Sequence, residues 1–166
     1  MDASTDERDG LGAKLLAAVK RGDAYKVSEL LKIGANPDFQ DRSGCTALMH
    51  AARKGNGEIV ALLLEYGADP NITDIDSKTP LMAVATDERR ETAKLLLNKG
   101  ANPFIVNSSG LAARDYAVAG RHNLVIAMLP SERELRMEIR RGKDALERLR
   151  RDMPKEGAQR PRRVSG

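Results

Sequence analysis

The segment LLLEYGADP at residues 62–70 breaks a run of leucines with Gly67 and stops the chain from resuming its helix at Pro70. The same phrase stands 33 residues to either side, ending in Gly34-Ala35-Asn36-Pro37 upstream and Gly100-Ala101-Asn102-Pro103 downstream. A leucine pair precedes each copy at one offset: Leu30-Leu31, Leu63-Leu64 and Leu96-Leu97. TALMHAA from Thr46 and TPLMAVA from Thr79 keep the same interval. Three separate features sharing one period mean that the chain is built by copying one module in series.

Each module reads as two short helices and a turn. Thr46 and Thr79 are N-cap residues, whose hydroxyls accept from the unpaired amides of a first turn, and Pro80 occupies the tolerated first helical position. Ala51 and Ala52, with Val84 and Ala85 in the equivalent slots, keep this helix thin enough for neighbours to approach. Ile59, Val60, Leu62 and Leu63 give the second helix an apolar stripe to bury. Gly34, Gly67 and Gly100 stand where a helix ends in a left-handed residue, with Pro following as a stop. The polar connections holding Asp41-Arg42-Ser43-Gly44 and Ser108-Ser109-Gly110 predict hairpin-like turns.

Thr79-Pro80-Leu81-Met82-Ala83-Val84, with its degenerate copy Thr46-Ala47-Leu48-Met49-His50-Ala51, resembles the signature of ankyrin repeats over roughly residues 11–130. The expected fold is an all-α ankyrin-repeat solenoid of four units, 11–40, 41–73, 74–106 and 107–130, the first and last atypical. Lys26 and Glu29 replace the Ile59 and Leu62 slots of the second unit, as suits an end module whose outer face meets water. In the fourth unit Arg114 replaces Leu48 and Leu81, and Pro130 replaces Leu64 and Leu97, which ends the series. The third unit carries Asp87-Glu88-Arg89-Arg90 where the second has Lys54-Gly55-Asn56-Gly57, leaving its inter-helix loop open.

Ser131-Glu132-Arg133-Glu134 fits a capping box and opens a charged helix over 131–153. Its apolar positions Leu135, Ile139, Leu146, Leu149 and Met153 follow a heptad-like series with Gly142 in the gap. Three placements stay open: a cover for the flank of the fourth unit, a coiled-coil contact with a second chain, or a solvated helix. Residues 1–10 read as an acidic disordered start, and 154–166 as a basic disordered tail in which Arg162-Arg163-Val164-Ser165 resembles a basophilic kinase site.

Composition narrows the function classes. The 166 residues include one Cys, no Trp, three Tyr and two Phe, so there is no disulfide framework and little aromatic surface for stacking bases. The longest apolar runs, Ile59–Leu64 and Leu124–Leu129, are far shorter than the ~20 residues of a membrane span, and the start lacks a secretory pattern. A cytosolic or nuclear address is the expectation. The net charge of +4 belongs to residues 131–166, with 12 basic and 7 acidic residues. The body, residues 1–130, holds 16 basic and 17 acidic ones.

A search for chemistry yields little. Cys45 and His50 together invite a thiol nucleophile, but no orienting third group accompanies them. Cys45, His50 and His122 fit neither common zinc spacing, and no glycine-rich phosphate loop is present. No enzyme, cofactor or metal is expected. The resemblance instead implies a concave partner-binding face formed by the hairpin tips and inner helices, at the positions where the units differ. These are Gln40, Arg42, Ser43 and Cys45, then Thr73, Ile75, Asp76 and Lys78, then Val106, Ser108, Ser109 and Leu111, with inner-helix His50, Arg53, Ala83, Thr86 and Tyr116. Ile75, Val106, Leu111 and Tyr116 are the expected anchors, Ile75 and Val106 having hairpin packing as the alternative. The expected function is a non-enzymatic module, monomeric, that binds a partner protein. Its rivals are polyanion or nucleic-acid contact through the basic segment 131–166, and an assembly or inhibitory subunit joined through the C-terminal helix.

Overall fold

The computed structural model describes residues 3–87 and 89–152, with side-chain surroundings for 10–87 and 89–144. Helices form consecutive antiparallel pairs: α1 (Ala3–Arg21) with α2 (Ala24–Lys32), α3 (Ala47–Lys54) with α4 (Gly57–Glu65), α5 (Pro80–Ala85) with α6 (Arg90–Asn98), and α7 (Ala113–Ala119) with α8 (Asn123–Ile126). The first members pack on one another in series and so do the second members, giving two layers. α9 (Glu132–Asp152) follows. None of the described helices is long and apolar enough to cross a membrane.

Local chemistry sets these boundaries. Thr46 Oγ1 accepts from the Met49 amide and Thr79 Oγ1 from the Met82 amide, each at 3.3 Å, so both hydroxyls cap an inner helix. Gly34, Gly67 and Gly100 take φ of 89°, 84° and 89°. The next residues, Ala35, Ala68 and Ala101, bury their methyls and donate back to the carbonyls of Leu30, Leu63 and Leu96. This is the reversed last turn that lets a helix stop without orphaned carbonyls. Asp23 and Asn56 cap α2 and α4 through their side chains.

The core is aliphatic and runs without a break through the stack. Leu15, Val19, Leu48, Ile59, Leu63, Leu81, Val84 and Leu96 are all fully buried, and so are the thinning residues Ala51, Ala52 and Ala85. Burial of one Leu or Ile contributes about 1.5–3 kcal/mol, so successive modules hold one another up. At the first end Lys26 faces solvent and pairs with Glu29 at 3.0 Å.

Several expectations change. Helical backbone begins at Ala3, inside the stretch 1–10 expected to be unstructured. No Pro interrupts it. In the third unit Arg89, at the start of α6, reaches back to the second: its guanidinium lies against Gly55 and donates to the Ala52 carbonyl at 3.4 Å. In the fourth unit Arg114 donates to the carbonyls of Ile126 (3.1 Å) and Leu129 (3.4 Å), so the residue replacing the core Leu tethers the end of α8.

At the start of α9 the Ser131 amide donates to Glu134 Oε2 at 2.7 Å while Ser131 Oγ accepts from the Glu134 amide at 3.3 Å, a reciprocal cap. Leu135 is buried, Ile139 is half-buried, and Met137, Glu138 and Arg141 flank Phe104 of the third module. The side chains of Leu146, Leu149 and Met153, and the tail 154–166 with its kinase-like site, lie outside the described residues.

Candidate functional site

Three hairpins project from one edge of the stack, and each is folded around one polar side chain. Asp41 Oδ1 accepts from the amides of Ser43 (3.0 Å) and Cys45 (3.1 Å). Asp74 Oδ1 accepts from Asp76 (3.0 Å) and Lys78 (2.9 Å), and Asn107 Oδ1 from Ser109 (3.0 Å) and Leu111 (2.9 Å). The turn closes through a left-handed residue at Gly44, Ser77 or Gly110. A Cβ on Gly44 would come within 3.0 Å of the Ile75 amide nitrogen, because that amide donates to the Ser43 carbonyl and joins the first hairpin to the second. Ser108 donates likewise to the Asp76 carbonyl, joining the second to the third.

The free oxygens of these carboxylates reach backward along the stack. Lys20 Nζ lies 3.2 Å from Asp41 Oδ2, and Arg53 Nη2 lies 3.1 Å from Asp74 Oδ2, at the same separation in sequence. Thr86 occupies the third such slot and bonds to the Ala83 carbonyl in its own helix. There Asn107 turns to Tyr116 of the same module, donating from Nδ2 to the phenol oxygen at 2.7 Å. His50 Nε2 approaches Asp41 Oδ2 to 2.8 Å. A carboxylate only accepts, so His50 carries its proton on Nε2 and donates it.

Burial pushes the His50 imidazole below its ordinary value despite the favourable Asp41 contact, with Lys20 and Arg53 adding repulsion. Burial alone would raise the Asp41 carboxyl, but hydrogen bonds from His50, Lys20, Cys45 and Ser43 outweigh it and hold the group well below the usual carboxylate range. Burial pushes the Cys45 thiol up, opposed by Arg53, whose Nη1 is 3.5 Å from Sγ. That thiol is 3% exposed and shifted away from the thiolate, a poor starting point for a nucleophile.

Between the hairpins and the inner helices lies a cleft of about 360 Å³ bounded by Arg53, Lys78, Met82, Ala83, Thr86, Asp87 and Tyr116. It draws on three modules. Ile75, three-quarters exposed, and Leu111 stand on the hairpins, with Arg42, Ser43, Asp76, Ser108 and Ser109 also open to solvent. Thr73 and Val106 are partly covered, Val106 by its bridge to Ala112. Gln40 is exposed but spends its amide on the carbonyls of Gly44 and Thr73.

One sequence expectation fails on geometry: Cys45 points inward and cannot meet a partner, because both its backbone groups pair with Asp41 and turn the side chain under Arg53. Of Asp41, Asp74 and Asn107, which organise the face, the sequence reading holds only Asp41, as a turn residue, and it misses Met82 and Asp87 on the cleft wall. The available signal was the 33-residue recurrence of the first three. His122 lies apart from Cys45 and His50, its ring nitrogen 2.7 Å from the Thr86 carbonyl.

A family model described as ankyrin repeats (3 copies) matches residues 3–74, and one described as ankyrin repeat matches residues 76–108. No curated protein matched the chain.

Proposed function

The chain belongs to the ankyrin-repeat family, whose members are generally protein-interaction modules and typically not enzymes, and from that premise we propose that it captures a partner protein on its concave face. The observation that carries this reading is the cleft uniting Arg53, Lys78, Ala83, Thr86 and Tyr116. All five sit at positions where the modules differ, so the shared framework leaves them free to be chosen for a partner. Ile75 beside them holds an apolar side chain in water, and covering a residue of that kind contributes about 1.5–3 kcal/mol. The partner-facing groups are apolar and cationic at once, Ile75 and Tyr116 with Arg53 and Lys78, which is the mixture that concentrates binding energy in small areas.

The test is capture from a lysate of the source by the full chain and two variants. Ile75→Glu combined with Ala83→Arg charges the concave side without touching a hydrogen bond described above. Ile33→Glu makes the same kind of change at an exposed residue of the outer layer. Loss of capture in the first, retention in the second and equal helical content in both is the expected outcome. Capture that survives the first and fails in the second would move the working surface to the other layer.

A further inference from the structure

Cys45 is buried, His50 is half-buried and Asp41 lies between them, with one ligand atom of each within 4.8 Å of the others. A thiol, an imidazole and a carboxylate are the three side chains zinc-class ions prefer, and among the described residues this is the one such group. We propose that Asp41, Cys45 and His50 bind one divalent transition-metal ion of the zinc class, with a fourth coordination position left to solvent.

The fold prepares each ligand independently of any ion. Asp41 spends Oδ1 on the Ser43 and Cys45 amides, which fixes its carboxylate and leaves Oδ2 for another partner. Cys45 ends the hairpin and His50 lies in the first turns of α3. An ion takes the place of the proton between His50 and Asp41: the imidazole then carries its proton on Nδ1, and the Cys45 thiol releases its own to solvent. Their nitrogen and oxygen, now 2.8 Å apart, need to open to roughly 3.3 Å for ordinary bond lengths at a tetrahedral angle. A thiolate and a carboxylate together neutralise the ion.

Two cations border the site. Lys20 is half-exposed and touches the same Asp41 oxygen, so it can swing into water when an ion arrives. Arg53 remains paired with Asp74, and its position beside Sγ offsets part of the burial that disfavours the thiolate a metal requires. The aligned positions in the next modules hold Asp74, Lys78 and Ala83, then Asn107, Leu111 and Tyr116, and those modules fold the same hairpin. The stack therefore does not need Cys45 and His50 for its own sake, and this inference is independent of the concave-face reading.

The test uses the full chain, reduced and stripped with chelator, titrated with Co²⁺ and then Zn²⁺. The expected result is one equivalent of Co²⁺ with a near-ultraviolet thiolate-to-cobalt band, bleached by one equivalent of Zn²⁺. Cys45→Ser should abolish the band, and His50→Gln and Asp41→Asn should weaken Zn²⁺ binding at least about tenfold. Asp41→Asn keeps the hairpin, since Asn107 makes the same two amide contacts in its own module. Zn²⁺ should raise the thermal midpoint of the wild type but not of Cys45→Ser. Absence of the thiolate band at saturating Co²⁺, Zn²⁺ binding unchanged by Cys45→Ser, or binding lost in His122→Ala would each overturn the proposal.

Discussion

Asp41, Asp74 and Asn107 show how one position can keep a structural duty while its second duty drifts. In all three the Oδ1 atom ties down a turn. The other end meets a cation from the preceding module at Asp41 and Asp74, and the Tyr116 phenol at Asn107. Beside Asp41 the burial of His50, which outweighs the favourable carboxylate contact, has a pH signature. The unfolded chain takes up a proton on His50 below its ordinary value of 6.5, while the folded protein resists that proton until lower pH. Stability should therefore fall as pH drops from neutral through 6.5. The Asp41 contribution is kept through this range and is lost only as pH falls below the ordinary carboxylate value of 3.8. Urea unfolding in the presence of chelator should show the first decline in the wild type and a flatter profile in His50→Gln; equal slopes would contradict the assignment. Thr46 and Thr79 were legible in the sequence because a cap acts within one turn. The roles of Asp41 and Asp74 were not: an Asp opening a polar connection reads as turn chemistry, and nothing local reveals that Lys20 or Arg53 will arrive from the module before.

At the scale of the element, repeat arithmetic gave the helix pairs because helix ends depend on Gly, Pro and capping residues that recur with the period. It gave less where the chain leaves the pattern. The replacement of Leu by Arg114 marks the end of the series, yet its role appears only in space, where the guanidinium holds the last carbonyls of α8. α8 is a single turn, Asn123–Ile126, with no side-chain cap at its start. It depends on such tethers because short helices are marginal by themselves. Arg114→Ala should cost about 1.5–3 kcal/mol, the range for hydrogen bonds involving a charged group. Hydrogen exchange should then accelerate at the amides of Ala127, Met128 and Leu129, which bond within that turn, and leave the α3 amides unchanged. Uniform acceleration throughout the stack would mean that the fourth module is not a separable end. Leu135 enters α9 into the packing, and Arg114 stands near Glu134 of the same turn.

Across the whole molecule the inner and outer helix layers carry different burdens. Keeping one interval places aliphatic residues at matching positions of the central modules, while the hairpins and the inner-helix surface vary. This division is readable in the sequence, because only a periodic chain separates what must repeat from what need not. The inward turn of Cys45 and the continuous cleft from Arg53 to Tyr116 are not, since the first arises from the pairing of Cys45 with Asp41 and the second from three modules set side by side. The central claim is that the concave side meets the partner. The most direct measurement puts a photo-crosslinking residue at Ile75 in one preparation and at Ile33 in another, both exposed, and maps the adducts by mass spectrometry. The account expects a partner adduct at position 75 that an excess of unlabelled chain competes away, and none at position 33. A competable adduct at 33 with none at 75 would contradict it.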